Sequence, residues 1–254
     1  MKIVESVAEL IAERQARGAG STGFVPTMGA LHEAHLSLIR RAKAESARTW
    51  ASIFVNPAQF NDPADLASYP RPLAQDLEIL RAAGCDLVFV PQARDMYPDD
   101  FRYRVTENVL SKKFCGVGRP GHFDGMLTVV LKLLLLIRPE RAYFGEKDYQ
   151  QLRLVEGLAQ AFFLDTWIVP CALVREPDGL ATSSRNRLLS AAERKRAPAF
   201  HRLLLRSVAE RQPTGDAAAE LAREGFDVEY VADYDGRRLA AVRLGKVRLI
   251  DNVE

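Results

Sequence analysis

Through the first 174 residues, hydrophobic positions follow two alternating patterns, and the alternation predicts the architecture. Short runs that are apolar at nearly every position, rich in β-branched and aromatic residues, read as strands buried on both faces. They cover 23–26 (GFVP), 49–55 (TWASIFV), 86–91 (DLVFVP), 141–144 (RAYF), 166–170 (TWIVP) and 171–174 (CALV). Between them, apolar residues recur at helical spacing over 4–17, from 32 onward, over 73–83 and 127–137, and from the turn at Gly145 through Leu158. The segment 96–109 is mixed and reads as short strands. Strands alternating with helices predict an α/β fold with a parallel sheet. After 174 the pattern changes. Amphipathic helices over 191–211 and 216–225 are followed by three short antiparallel strands, 228–231, 239–244 and 248–250. The chain is therefore divided into a domain of residues 1–174 and a smaller α+β domain of residues 175–254.

Polar residues cluster where strands end, which is where open α/β sheets bind ligands. After the first of the runs comes PTMGALHEAH, a tight turn over 27–31 and a helix opening with His32 and His35. Side chains three apart share a helix face. The free N–H groups of a helix start favour phosphate, so the two imidazoles and those amides can meet one anion. A histidine pair at this spacing is also an ordinary surface feature. The string H-E-A-H is one residue short of the zinc-protease H-E-x-x-H, which argues against a metal site. After TWASIFV stand Asn56 and Gln59, with Asn-Pro turn punctuation as the alternative reading. After RAYF stand Gly145, Glu146, Lys147 and Asp148. A lysine in a first helical turn opposes the macrodipole, and a bound polyphosphate would explain it, whereas Asp148 also serves as an ordinary first-turn acid.

Two further loops carry candidate chemistry. CGVGRPGHFDG (115–125) holds Arg119, His122 and four glycines that would let backbone approach a ligand, or simply make a flexible link. The stretch Thr182, Ser183, Ser184, Arg185 interleaves hydroxyls with a guanidinium suited to phosphate, or is a capped loop with solvated arginines. GAGSTG (18–23) matches G-x-G-x-x-G, but it follows a helix and leads into a strand, so it is read as a loop.

Composition acts mainly by exclusion. Thirty-five basic against thirty-three acidic residues leave a net charge of +2 over 254 residues, which gives no argument for nucleic acid or an anionic membrane as partner. Cys85, Cys115 and Cys171 are odd in number and far apart, fitting free thiols in a reducing compartment. The start MKIVESVAELIAERQ lacks the apolar core of a signal peptide, and 127–137 is too short to span a bilayer, so a cytoplasmic protein is expected.

Taken in order, PTMGALHEAH, SIFVNPAQF, YPRP, RPGHFDG, YFGEKDYQQL, DGLATSSRNRLLS and the closing RLIDN resemble the pantothenate synthetase family over essentially the whole chain. The resemblance implies a Rossmann-like parallel sheet of the HxGH nucleotidyltransferase type, related to class I aminoacyl-tRNA synthetases, with a smaller C-terminal lid domain. It implies a homodimer that condenses pantoate with β-alanine, driven by ATP with Mg2+, through a pantoyl adenylate. By the same resemblance ATP is held by Met28, Gly29, Ala30, Leu31, His32, Glu33, Ala34 and His35. Gly145, Glu146, Lys147, Asp148, Val174, Thr182, Ser183, Ser184 and Arg185 complete that set. His35 is the implied proton donor, His32 accompanies it on the phosphates, and Lys147 neutralises charge at the α-phosphate. Gln59 and Gln151 fall at pantoate positions, and Asn56, Arg119 and His122 line the same cavity. No protein ligand for Mg2+ is implied, since the ion would ride on phosphate oxygens. Two departures stand out: Ala34 occupies the glycine position of H-x-G-H, where its methyl is expected to crowd the nucleotide, and Thr182 replaces a common Met.

Overall fold

Strands apolar on both faces need cover on both sides, and the residues of the central strands are buried at odd and even positions alike. The computed structural model describes Met1–Glu254. The chain forms two compact units, one of Met1–Gly145 with Gln150–Cys171, the other of Glu146–Tyr149 with Ala172–Glu254.

The larger unit runs β1 (Lys2–Val4), α1 (Val7–Ala16), β2 (Thr22–Thr27), α2 (Glu33–Glu45), β3 (Arg48–Ile53), α3 (Pro63–Ser68), α4 (Leu73–Ala82), β4 (Leu87–Phe89), α5 (Ala93–Met96), α6 (His122–Ile137), β5 (Arg141–Gly145), α7 (Tyr149–Ala161) and β6 (Trp167–Cys171). The first residue of α7 is grouped with the smaller unit. The six strands form one parallel sheet in the order β1-β4-β3-β2-β5-β6. This is the α/β sheet the alternating pattern predicts. Leu38, Ile39 and Ala42 of α2 and Leu80 of α4 pack with Val25, Ala51, Val88, Tyr143 and Val169 of the strands.

The smaller unit holds α8 (Ala191–Arg196), α9 (Pro198–Ala209), α10 (Thr214–Arg223), β7 (Asp227–Tyr234), β8 (Arg237–Leu244) and β9 (Val247–Val253), the strands forming an antiparallel meander. Its core gathers Phe200, Leu203 and Leu204 of α9 and Leu221 of α10 against Ala240, Val242, Leu249 and Val253 of the sheet.

Several elements differ from the sequence reading. Residues 2–4 are an edge strand and the first helix starts only at Val7. Ser6 and Glu9 close a capping box there, the Glu9 amide donating to Ser6 Oγ at 3.2 Å and the Ser6 amide to Glu9 Oε2 at 3.1 Å. Segment 97–109 contains no strand. Its amides are taken by side chains instead: Asp99 accepts from Tyr103, Thr128 from Val105 and Glu107 from Val109. Strand β6 ends at Cys171, so 172–174 is not a strand. The helix expected over 191–211 is two, because Pro198 has no N–H to continue the ladder. Finally, α6 begins at His122 rather than Leu127. A β-carbon on Gly125 would sit 2.1 Å from the Ala58 carbonyl oxygen, and one on Gly116 would sit 1.9 Å from that of Ser111. Those two glycines serve close packing of the protein's own backbone, not the approach of a ligand.

Candidate active site

Strands β2 and β5 are neighbours at the centre of the sheet, and the chain leaves them in opposite directions, β2 toward β3 and β5 toward β6. Such a switch in strand order opens a crevice beyond the carboxyl ends of the two strands. Thr27 ends β2 and Gly145 ends β5.

Beyond Thr27 the chain turns through Gly29 and Ala30, both at positive φ (80° and 51°). Glycine takes that conformation freely, whereas alanine resists it. Side-chain acceptors hold the turn: Thr27 Oγ1 accepts from the Gly29 amide at 3.2 Å, and the buried Asp76 carboxylate of α4 accepts from Ala30 and Leu31, each at 2.8 Å. With these three amides engaged inside the protein, the donors left for an anion are those of α2 itself. His32 is its N-cap residue, in extended conformation, and its side chain takes no part in capping. The rings of His32 and His35 lie against each other with centroids 4.1 Å apart, their planes tilted by 36°, and both residues are half-buried. The helix start thus presents two imidazoles beside first-turn amides that have no intrahelical partner.

A second set of predicted residues forms one hydrogen-bonded network. The Asn56 amide nitrogen donates to Gln59 Oε1 (3.0 Å) and to the Gly125 carbonyl (3.1 Å), while its oxygen accepts from the Ala58 amide (3.3 Å) and the Tyr97 hydroxyl (2.7 Å). All four hydrogen-bonding positions of Asn56 are therefore occupied, and the residue positions Gln59. Burial pushes the Tyr97 hydroxyl above its ordinary pKa, against the opposing pull of Asn56, so it stays a neutral donor. Gln59 reaches Met28 Sδ with its amide nitrogen at 3.0 Å. His122 Nδ1 lies 2.8 Å from the Gln59 carbonyl, and its Nε2 lies 3.0 Å from Arg119 Nη1. A carbonyl only accepts and a guanidinium only donates, which fixes the neutral tautomer protonated at Nδ1. Gln151 is half-buried and is not joined to this network. Its neighbour Gln150 is fully engaged, accepting from the Cys115 amide and donating to the carbonyls of Leu110 and Lys113.

At the end of β5, Gly145 pairs with Cys171, and a β-carbon there would meet nothing within 4 Å. The next three residues, Glu146–Asp148, form a 3-10 turn that belongs to the smaller unit. Lys147 Nζ stands 3.7 Å from Asp148 Oδ2. Asn252, near the end of β9, donates to the carbonyls of Glu146 (2.8 Å) and Lys147 (3.2 Å). In the same unit the Thr182 amide donates to the Val174 carbonyl at 3.0 Å, joining two predicted positions. Ser183 caps the short turn Ser184–Leu188 by accepting from the Arg185 amide at 3.3 Å. Glu146 and Ser184 are half-buried.

Sequence reasoning missed Asp76, Tyr97, Gln150 and Asn252. Asp76 looks like any first-turn acid of a helix, and its partners lie about 45 residues away, so no local signal marks it. Asn252 had one signal, its place in the closing RLIDN.

Comparisons with known proteins agree with one another. The family model for pantoate-β-alanine ligase matches residues 2–254. The pantothenate synthetase of Bdellovibrio bacteriovorus is 49% identical over 253 residues, covering 100% of this chain and 99% of the relative. That of Coxiella burnetii is 46% identical over 252 residues, covering 99% and 96%. The crystal structure of pantoate-β-alanine ligase from Francisella tularensis, complexed with β-γ ATP and β-alanine, superposes with a TM-score of 0.92 at 40% identity, covering 100% of this chain and 97% of the other.

Proposed function

The chain belongs to the pantoate-β-alanine ligase family, and from that premise we propose how its residues divide the work of an ATP-dependent condensation of pantoate with β-alanine. The reaction gives pantothenate, AMP and pyrophosphate. A pantoate carboxylate oxygen attacks the α-phosphorus of ATP as the bond to pyrophosphate breaks. The β-alanine amine then attacks the carbonyl of the adenylate, losing a proton as AMP departs.

The first step brings a carboxylate onto a polyphosphate, so catalysis consists largely of positioning and charge neutralisation. The observation that carries this reading is the start of α2, where two adjacent imidazoles and first-turn amides stand at the carboxyl end of β2. His32 and His35 bind phosphate oxygens there, with His35 supplying a proton to the departing pyrophosphate. The segment Met28 to His35 packs against the nucleotide through carbonyls and side chains as well as the amides of α2. Lys147 neutralises charge developing on the α-phosphate. Gly145, Glu146 and Asp148 follow the ribose side, Val174 contacts adenine, and Thr182, Ser183, Ser184 and Arg185 hold the outer phosphates. Gln59 and Gln151 hydrogen-bond pantoate through neutral amides, which suit a hydroxy acid better than a phosphorylated acceptor. Asn56 positions Gln59, and Arg119 with His122 closes the acid pocket.

No group of three or more His, Cys, Asp or Glu side chains is placed to hold a metal ion. Mg2+ would arrive on the phosphate oxygens of ATP and would supply charge neutralisation there. A homodimer working in the cytoplasm completes the proposal. No helix is long and apolar enough to cross a membrane.

Pyrophosphate release from ATP tests the reading. It should require pantoate, and His35→Ala and Lys147→Ala should each slow it at least roughly a hundredfold while the fold is kept. Gln151→Ala should raise the pantoate requirement. Near-wild-type release in both of the first two variants would defeat the assignment of roles.

A further inference from the structure

We infer that Asn252 is the positioning residue of Lys147, setting the reach of its ammonium from the opposite end of the smaller unit. The inference rests on the adenylation role proposed above for Lys147.

Lys147 sits in the 3-10 turn Glu146–Asp148, which leads directly into α7. Its backbone is also held by a side chain more than 100 residues away. Asn252 is buried, at 3% exposure, and spends both amide hydrogens on the successive carbonyls of Glu146 and Lys147. Its own oxygen accepts from Arg237 Nη1 at 2.9 Å, so the amide cannot flip without placing two donors together. Arg237 adds a second hold on the turn. Its Nη2 lies 3.2 Å from Glu146 Oε2, and its guanidinium carbon lies 4.6 Å from the centre of the Tyr149 ring, whose hydroxyl donates to Asp235 at 2.6 Å.

Asn252 is fixed in turn by its neighbour. The Asn252 amide donates to Asp251 Oδ1 at 2.8 Å, and the Asn252 carbonyl accepts from Arg175 Nη2 at 3.2 Å. The same Arg175 grips the Asp251 carboxylate with both nitrogens, at 2.8 and 2.9 Å. The path from Arg175 through Asn252 to Lys147 is therefore made of hydrogen bonds between buried or half-buried groups. None of Asn252, Arg237 or Asp251 carries a charge that adenylation needs. Their effect is on where the lysine stands, and a misplacement of about 1 Å costs on the order of a hundredfold in rate.

The test is a double-mutant cycle read on pantoate-dependent pyrophosphate release. Asn252→Ala should lower the kcat for adenylation about ten- to a hundredfold, with the KM for ATP changed by less than about threefold. Aminolysis of presynthesised pantoyl adenylate by β-alanine should be nearly unaffected. In the Lys147→Ala background the same change should add almost nothing. Arg237→Met, which removes the guanidinium's bonds to Asn252 and Glu146, should give a weaker effect with the same non-additivity, and it decides the question if Asn252→Ala does not fold. Adenylation unchanged by Asn252→Ala, or slowed independently of Lys147, overturns the inference while leaving the role of Lys147 standing. A Lys147→Ala enzyme of normal rate removes the underlying role and the inference with it.

Discussion

A β-carbon on Gly29 would stand 2.8 Å from Oδ2 of Asp76, the oxygen that accepts the next amide along the chain. Turn and carboxylate fit only because that position is glycine. The carboxylate is also what makes the positive φ of Ala30 tolerable, since it accepts from Ala30 and Leu31 together. Replacing Asp76 by Ala leaves two buried donors without an acceptor, at roughly 1–3 kcal/mol each. We expect Asp76→Ala to lose about 2–4 kcal/mol in denaturant unfolding and to weaken ATP binding, because the turn leads directly into His32. Gly29→Ala should also destabilise, from strain and from contact with Oδ2. A variant at Asp76 with wild-type stability and ATP affinity would refute this account.

Gly145 presents the reverse case. Nothing lies within 4 Å of a β-carbon built there, so neither backbone nor packing demands glycine. The nucleotide contact proposed above would supply the reason. Gly145→Ala should leave stability within about 0.5 kcal/mol of the parent and raise the KM for ATP severalfold. Equal KM values for the two proteins would show that the space at Gly145 is not the nucleotide's.

The pattern of apolar positions was enough to read the sheet, because strands such as Arg48–Ile53 are buried on both faces and carry that in their composition. It could not yield Lys2–Val4, where a three-residue strand has too few positions to show a period. Nor could it separate a glycine facing open space from one that admits a neighbouring backbone. Gly125 and Gly145 look alike in sequence, and only the carbonyl of Ala58 distinguishes them. The polar clusters at strand ends were legible, as was the closeness of His32 and His35 at the start of α2. The residues that hold them were not. Asp76 and Asn252 act across about 45 and 105 residues of chain, and hydrogen bonds of that range leave no local pattern.

Stability in acid should report on Asp233. Hydrogen bonds from Arg238, at 2.8 and 3.0 Å, hold its carboxyl below the usual range, with desolvation opposing. A folded pKa depressed below the unfolded one gives a contribution that is present above the unfolded value of about 3.9 and lost as pH falls through the folded value. Asp233→Asn should therefore be less stable than the parent at pH 7, by about 1 kcal/mol given the solvent exposure of the carboxylate. The two proteins should converge in the most acidic samples, where the parent carboxyl is protonated as well. A difference that persists undiminished there would rule out the ion pair as its source.

Ala34 supplies a prediction of opposite sign, a substitution that improves binding. It lies in the first turn of α2, one residue before His35, half-buried where first-turn amides are open to an anion. The family resemblance places glycine at this position, and a methyl group there is expected to stand between the helix backbone and an approaching phosphate. Removing it should let the nucleotide settle closer to the amides, where charge-assisted hydrogen bonds strengthen as they shorten. Glycine within a helix costs up to about 1 kcal/mol relative to alanine, and less in a first turn. Ala34→Gly should therefore bind ATP several times more tightly by calorimetric titration, with a small loss of thermal stability. An affinity equal to or weaker than the parent's would mean that the methyl does not face the nucleotide.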